Sequence, residues 1–209
     1  MSEAGTDSKR EQIRAAAIEL FLERGYAGTS TAEVARKAGV SKETLYSRYR
    51  GKEELLGDVL ESYIARSLAA AAPAGEFTAP ATEEELRGLL AAFAERLLAQ
   101  LTRPDYLALA RMVIAERHRV PEVGELFRAA VPVRALTRVA DLLGAAERAG
   151  LIALPEADPA AAARLFMGPL LIHLLMNHLL ADPDESRLLG RLDIPTHVDL
   201  FLAAVRPSA

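Results

Sequence analysis

The sequence contains no cysteine, no tryptophan and only four lysines among its 209 residues. Without cysteine the chain can form no disulfide, no thiol nucleophile and no thiolate metal site. Aromatic residues are also scarce, at 5%, while hydrophobic residues as a group reach 51%. No alternating strand pattern and no internal repeat stands out. We therefore expect an all-α protein of about nine helices, whose core is packed mainly by Leu and Ala.

The beginning of the chain, MSEAGTDSKR, has no apolar core and predicts no signal peptide, so we expect a cytoplasmic protein. The net charge is −4, which argues against a protein that coats nucleic acid generally. The charge is unevenly spread. Residues 1–56 hold ten bases and nine acids (+1), and residues 57–209 hold fifteen bases and twenty acids (−5). This asymmetry predicts two regions with different partners, and any DNA contact must be local.

One segment, residues 29–56, has the pattern of a helix-turn-helix. Ser30 and Glu33 have the spacing of a capping box, which predicts a helix over 31–38. Gly39 follows where a left-handed backbone suits glycine, and a second short helix is predicted over 42–47. Two short helices joined by a glycine-containing turn are typical of DNA-binding domains.

The charges of this segment favour the same function. Between residues 36 and 52 six bases stand against a single acid, Glu43, and all four lysines of the chain precede residue 53. A run of basic residues like this one is more commonly just a solvated face of a small helical domain. The cap, the glycine turn and the basic balance occur together here, however, which favours DNA binding over that alternative.

The remaining helices are predicted from caps, prolines and apolar spacing. A run between residues 165 and 180 is almost entirely apolar, with His173, Asn177 and His178 as polar exceptions. We expect it to be buried in protein, with one face toward the core and the other toward a second subunit, since it is shorter than a membrane span. Outside the motif, four helices are predicted with both ends: Asp7 or Ser8 to residue 24, 52–71, 104–118 and 196–205. Another is predicted over 121–149 with an interruption at Pro132, and two more are predicted to start at Thr82 and at Asp158.

These residues resemble the TetR/AcrR family of bacterial transcriptional repressors. The resemblance rests on IxxAAIELFxERGYxGTS, VARKAGVSKETLY and YRGKEELL, and less specifically on MVIAERHRVPEV and FMGPLL. It implies an N-terminal three-helix DNA-binding domain over 1–51 and a C-terminal effector and dimerisation domain over 52–209, with helix 52–71 connecting them. It further implies a homodimer formed by the last two long helices, a ligand cavity in each subunit and a double-stranded DNA operator as partner.

In similar repressors the helix that corresponds to 42–47 enters the major groove. There Lys42 can reach guanine or a phosphate, Glu43 can accept from cytosine N4, and Thr44 can touch a thymine methyl or a phosphate. Glu43 is equally well explained as a solvated acid in the first turn of a helix. The complete predicted DNA-binding set is Thr29, Thr31, Lys42, Glu43, Thr44, Tyr46, Ser47, Arg48 and Lys52.

The rest of that set is assigned to the DNA backbone. The Tyr46 hydroxyl should bind a phosphate, although a purely packing role is its alternative, and Lys52 should clamp a phosphate. Thr29 and Thr31 flank a helix start whose free N–H groups favour phosphate. Ala32 stands where some relatives carry a base-reading arginine, so the first helix of the motif is not expected to read bases.

Ligand-binding residues are predicted more broadly. The expected effector is a hydrophobic or amphipathic small molecule, and His173 with Asn177 could bind it, face the dimer interface or be satisfied internally. We expect no metal, because His173 and His178 should point apart on an α-helix, and no cofactor. The candidate ligand set is Tyr63, Phe93, Leu97, Met112, Glu116, His118, Phe127, Phe166, Met167, Leu170, His173 and Asn177.

The sequence thus predicts a ligand-responsive regulator, most simply a repressor that a small molecule releases from a palindromic operator. One alternative is an effector-independent DNA-binding structural or regulatory protein. Another, a helical-bundle enzyme, has no support, since the sequence shows no nucleophile elbow, glycine-rich phosphate loop or metal cluster.

Overall fold

The structure, a computed structural model, describes residues 3–71, 79–116, 118, 121, 125, 133–154, 158–181 and 190–207, with backbone only for 3–7 and 64–71. Nine α-helices and one π-helical turn, and no strand, occur in these residues, which confirms the predicted all-α class. The helices are α1 (Glu3–Arg24), α2 (Thr31–Lys37), α3 (Lys42–Tyr46), α4 (Lys52–Ala71), α5 (Glu83–Leu101), α6 (Pro104–Glu116), α7 (Arg134–Arg148), α8 (Pro159–Leu174) and α9 (Ile194–Ala204); the π turn is Leu175–Leu179.

The helix-turn-helix forms for the local reasons that its sequence predicts. Ser30 caps α2 by accepting from the backbone N–H of Glu33, and the Glu33 carboxylate accepts from the N–H of Ser30 in return. Gly39 then has a φ of +68°, which only glycine adopts cheaply. Ser41 caps α3 by accepting from the N–H of Thr44. The two helices are consequently short and sharply bounded.

Cα packing divides the chain into two compact units. The first consists of Met1–Ala65 with Ala108–Ala130, and the second of Arg66–Leu107 with Val131–Ala209. In the first, α2 packs on α1 and α3, and in the second, α8 packs along α7 while α9 lies on α5 and α8. Helices α4 and α6 contribute residues to both units. The division at residue 51, which concerns where DNA binding ends and ligand binding begins, remains a prediction.

Several predicted helix bounds are wrong at the ends. Helix α1 begins at Glu3, ahead of the predicted cap at Asp7 or Ser8, and residues 3–10 contain no proline that would stop it there. Helix α6 ends at Glu116, two residues before the predicted end. Helix α9 begins at Ile194 rather than residue 196, since Asp193 takes the extended N-cap conformation and Pro195 fits the first turn. Most of the predicted helix over 121–132 lies outside the described residues.

Helix α8 continues into the π turn, and together they form one long apolar helical segment. Asp158 caps it by accepting from the N–H groups of Ala160 and Ala161. By length and composition the run Pro159–Leu179 is long and apolar enough to cross a membrane, with a mean hydropathy of 1.4 over an 18-residue window. The expectation that it is too short was therefore wrong, because the helix also includes residues 159–164, which precede the predicted apolar run. A core helix of a soluble protein passes the same test, and Phe166 and Leu170 are buried here.

Candidate nucleic-acid interface

Two predicted phosphate ligands from different helices meet on the surface of the motif. The hydroxyl of Tyr46, at the end of α3, lies 2.9 Å from Oγ1 of Thr31, in the first turn of α2. Tyr46 is 53% exposed, so its ring is not simply part of the core. Either hydroxyl can donate while the other accepts. The pair therefore presents two adjacent hydroxyl groups at the N-terminal end of α2, where the helix dipole favours an anion.

The predicted base-reading residues project from the first turn of α3. Lys42 and Glu43 are exposed, and Thr44 is partly exposed with its Oγ1 lying 3.1 Å from Oγ of Ser41. Hydrogen bonds from the backbone and from Ser41 lower the pKa of Glu43, which holds it as an anion. The next residue of α3, Leu45, is fully buried and fixes the helix to the core. Lys42, Glu43 and Thr44 therefore remain wholly or partly accessible in the first turn of a helix that is anchored beneath them.

Ser47 and Arg48 follow directly after α3. Ser47 is exposed, and its hydroxyl donates to the carbonyl of Thr44 at 2.9 Å, so this bond must open before it can donate to a phosphate. Arg48 is partly exposed, and its buried Nε has no acceptor within the described residues. Neither side chain is placed for DNA as directly as Thr31 and Tyr46.

Thr29 does not fit its predicted role. Its side chain is 2% exposed, and its hydroxyl lies within hydrogen-bond distance of the carbonyl oxygens of Leu20 and Gly25. Its backbone N–H donates to the carbonyl of Tyr26. Both donors of Thr29 are therefore engaged at the C-terminal end of α1, so neither is available to a DNA phosphate. The sequence pattern did not show that the chain turns inward one residue before the cap.

Lys52 is held more firmly than its prediction supposed. Its Nζ donates to the carbonyls of Tyr26, at 2.8 Å, and Thr29, at 3.0 Å, and it lies 4.2 Å from the centroid of the Tyr26 ring. The Tyr26 hydroxyl in turn donates to the carboxylate of Glu53. Lys52 thus ties the α1–α2 loop to the start of α4. An ammonium has three N–H groups, so one donor remains beyond these two bonds.

Sequence reasoning missed a buried charged cluster next to the motif. Asp58, on α4 and 8% exposed, accepts hydrogen bonds from Arg10 and Arg14 of α1 and from the hydroxyl of Tyr49. Burial alone would raise the pKa of Asp58, but the two guanidinium groups and the phenol outweigh it and hold that pKa well below its usual range. The signal that could have found the cluster is an acid within the apolar face of α4.

The candidate ligand residues do not gather into one described cavity. Most are simply core, with Phe93, Leu97, Phe166, Met167 and Leu170 each at most 1% exposed and Tyr63 8% exposed. Met112 and Glu116 are partly exposed, His118 is exposed in a turn beyond α6, and Phe127 lies outside the described residues. A surface cavity of about 520 Å³ does occur, but its lining contains none of the predicted residues: Glu95, Arg191, Leu192, Asp193, Ile194 and Pro195.

His173 and Asn177 are buried and bonded to each other. The Asn177 amide nitrogen lies 3.2 Å from Nδ1 of His173 and 2.8 Å from the carbonyl oxygen of Gly190. Because a carbonyl only accepts, this nitrogen is a donor, and Nδ1 of His173 is then the unprotonated ring nitrogen. These contacts supply the internal partner that was the alternative to a ligand.

The expected separation of His173 and His178 was wrong. Their ring centroids lie 5.6 Å apart in an edge-on arrangement. The prediction assumed α-helical geometry throughout, whereas the chain changes to a π turn at Leu175, where hydrogen bonds join residues five apart. Residues five apart therefore come to neighbouring positions. No group of three or more metal-binding side chains occurs within the described part of the chain.

Comparison with protein families identifies both parts of the chain. Residues 13–59 match the model of "Bacterial regulatory proteins, tetR family", and residues 88–206 match "AefR-like transcriptional repressor, C-terminal domain". Among curated relatives, the HTH-type transcriptional regulator YerO of Bacillus subtilis is 37% identical over 62 residues, 30% of this chain and 22% of YerO. The transcriptional activator FasR of Mycolicibacterium smegmatis is 41% identical over 58 residues, 28% of this chain and 26% of FasR. The matched segment thus spans about a quarter of these relatives.

Solved structures match over nearly the whole length. A protein described as a TetR-family transcriptional regulator from Mesorhizobium loti has a TM-score of 0.72 and 27% identity, with 98% of this chain and 96% of that one covered. The flavonoid-responsive regulator FrrA has a TM-score of 0.71 and 27% identity, with 96% and 98% covered.

Proposed function

The chain belongs to the TetR family of bacterial transcriptional regulators, and from that premise we propose that it is a cytoplasmic repressor whose homodimer binds a palindromic operator and is released by a hydrophobic small molecule. The observation that carries this proposal is the joint surface of α2 and α3. There the paired hydroxyls of Thr31 and Tyr46 stand beside the exposed side chains of Lys42 and Glu43. The family consists of transcriptional regulators, not of enzymes.

In this proposal α3 lies in the major groove. Lys42 and Glu43 offer a donor and an acceptor to base edges, and the methyl group of Thr44 can contact thymine. Thr31 and Tyr46 hold one phosphate between them at the start of α2, and the third N–H of Lys52 reaches another. Ser47 and Arg48 then lie beside the DNA backbone and are the remaining members of the proposed DNA-binding set. Phosphate contacts fix the register, while the α3 side chains supply the sequence preference.

The proposed dimer follows from exposed apolar residues on α8 and α9. Leu165 and Ile172 are seven residues apart on α8, hence on one side of the helix, and are 57% and 51% exposed. Leu200 on α9 is 68% exposed. Val198, Leu202 and Val205, the apolar residues spaced along the last helix and at its end, are buried within the subunit and do not join this surface. A contiguous apolar strip on a soluble protein is typical of an interaction surface.

A dimer explains why the operator should be a palindrome. Two recognition helices related by a two-fold axis contact two half-sites with the same sequence, about 34–36 Å apart or at an offset that the dimer sets. Release by a ligand requires that the ligand bind more tightly to a form with a different spacing. A similar structure described as flavonoid-responsive supports a small-molecule effector. The candidate residues for its binding remain the predicted set, with His173 and Asn177 as its buried polar members.

Selection of bound DNA from a random pool tests the DNA-binding proposal. We expect an inverted repeat, and we expect Lys42→Ala or Thr44→Ala to change the preferred base at one position of each half-site, at roughly 1–3 kcal/mol per lost contact. Lys9→Ala is the matched control, since it removes the same charge from an exposed position on α1. Recovery of no enriched sequence would reject the proposal, as would unchanged preferences in both α3 variants.

A small-molecule screen on the same protein tests the effector. A ligand should raise the melting temperature, because it binds the folded state, and should weaken binding to the selected operator. A chain that binds its operator and responds to no apolar ligand would favour the effector-independent alternative.

A further inference from the structure

Asp58 lies at a junction of three segments within the first compact unit. Its Oδ1 accepts from Nη2 of Arg10 and Nη2 of Arg14, each at 2.6 Å. Its Oδ2 accepts from Nε of Arg10 at 3.1 Å, Nε of Arg14 at 2.7 Å and the hydroxyl of Tyr49 at 2.5 Å. One carboxylate on α4 therefore joins two residues of α1 to one residue of the segment between α3 and α4.

All the hydrogen-bond acceptor sites of the Asp58 carboxylate are occupied. Two oxygens offer about four acceptor sites, and five donors converge on Asp58. The donors are not equivalent. Arg10 is 47% exposed, whereas Arg14 is 21% exposed. With Arg14 in place the charge of Asp58 is still compensated when Arg10 is removed, so Arg10 should be dispensable.

Of the three residues that donate to Asp58, Tyr49 is the one that adjoins the proposed recognition helix, α3. It lies three residues after the end of α3, its ring is 3% exposed, and its backbone N–H donates to the carbonyl of Leu45 in α3 at 3.0 Å. The hydroxyl of Tyr49 thus connects the C-terminal end of α3 to a fixed point on α4. If that bond is lost, the ring can remain packed while the orientation of α3 is no longer fixed by α4.

We propose that Asp58 and Tyr49 are positioning residues for operator binding, which set the orientation of α3 relative to α4 without touching DNA. The inference rests on the proposed function and adds residues to it that lie outside the predicted DNA-binding set. In this proposal α3 can take two orientations, and the hydrogen bond between Tyr49 and Asp58 lowers the free energy of the one that fits the major groove. Burial and the bond to Asp58 raise the pKa of Tyr49 to about 12, so the hydroxyl stays a donor at neutral pH.

The test compares Tyr49→Phe with Arg10→Gln on the operator selected above. Tyr49→Phe removes one hydroxyl and keeps the buried ring, and we expect its operator affinity to fall about tenfold, as one charge-assisted hydrogen bond allows. Arg10→Gln should change affinity less than about twofold. Both are measured well below their melting temperatures, where circular dichroism shows them folded. Asp58→Asn should lose affinity at least as strongly as Tyr49→Phe.

Salt dependence separates positioning from contact. Loss of a phosphate ligand lowers the slope of log affinity against log salt by about one, whereas Tyr49→Phe should weaken binding to every sequence at an unchanged slope. A merely structural role would lower the melting temperature and leave the affinity of the folded protein intact, and that result would overturn the inference. If Asp58→Asn does not fold, Tyr49→Phe still decides. Failure of the wild-type protein to bind any selected operator would instead count against the proposed function.

Discussion

At the scale of single residues, Lys52 has a structural role that is separate from its proposed contact with a phosphate. Lys52 was predicted as a phosphate clamp from its place at the start of α4, yet two of its three donors hold the carbonyls of Tyr26 and Thr29. Substitution of Lys52 would therefore loosen the α1–α2 loop as well as remove a charge near DNA. If such a variant binds DNA more weakly, the loss of affinity cannot by itself be assigned to a lost contact with a phosphate. Lys42, which is exposed, gives the cleaner measurement.

Tyr49 gives a residue-scale prediction about pH. Burial, followed by the bond to Asp58, raises the pKa of Tyr49 to about 12, against about 10 for an unfolded tyrosine. Between these values the unfolded chain has lost the proton that the folded chain keeps, so the free energy of unfolding falls as pH rises, by roughly 2 kcal/mol at most. Urea midpoints from pH 9 to 12 should therefore show the advantage of wild type over Tyr49→Phe shrinking with pH. Because the variant retains the other titrating groups, their contributions cancel in the difference. An advantage that stays constant across this range would contradict the shift.

At the scale of elements, the turn of the helix-turn-helix depends on one backbone conformation. Gly39 has a φ of +68°, and a β-carbon added there would meet no atom within 4 Å, so backbone strain and not crowding decides the cost. We expect Gly39→Ala to lower the free energy of unfolding by about 1 kcal/mol and to weaken DNA binding by misplacing α3. Gly88, inside α5, is the matched control. A β-carbon also meets nothing there, and the helical backbone suits alanine, so Gly88→Ala should stabilise by up to about 1 kcal/mol. Equal effects of the two substitutions, measured by urea unfolding, would refute this explanation.

The same scale shows which features a sequence can reveal. The Ser30 and Ser41 caps and the turn at Gly39 were predictable, because each depends on side chains and backbone only a few residues apart. The buried position of Thr29 depends in part on Leu20, nine residues away, and the cluster around Asp58 joins residues nine to forty-eight apart, which no local pattern encodes. The π turn after α8 also escaped prediction, since apolar residues in that run fit either helical register.

At the scale of the whole molecule, none of the described residues covers the exposed side of α8 and α9. Ala161, Leu165, Pro169 and Ile172 are exposed at spacings of four, four and three residues, which is one stripe along α8. Single exposed leucines are ordinary, whereas a stripe of this length is not. Leu200 of α9, at 68% exposed, adds a further exposed apolar side chain from the last helix. We infer that the stripe is covered by a second copy of the chain.

The dimer prediction follows from that stripe. Leu165→Glu and Ile172→Glu each put a charge where the proposed interface is apolar, so sedimentation should show monomers at concentrations where the wild type is a dimer, with helical content unchanged. Operator affinity should fall by about 100-fold or more, because each half-site must then be bound without the effective concentration that a linked partner provides. Ala99→Glu, at an exposed position on α5, adds the same charge outside the stripe and should leave both properties unaltered. Dimers that persist in both α8 variants would place the interface elsewhere. Monomers that retain wild-type affinity would show that the operator is bound by single subunits, and the predicted inverted repeat would then lose its physical basis.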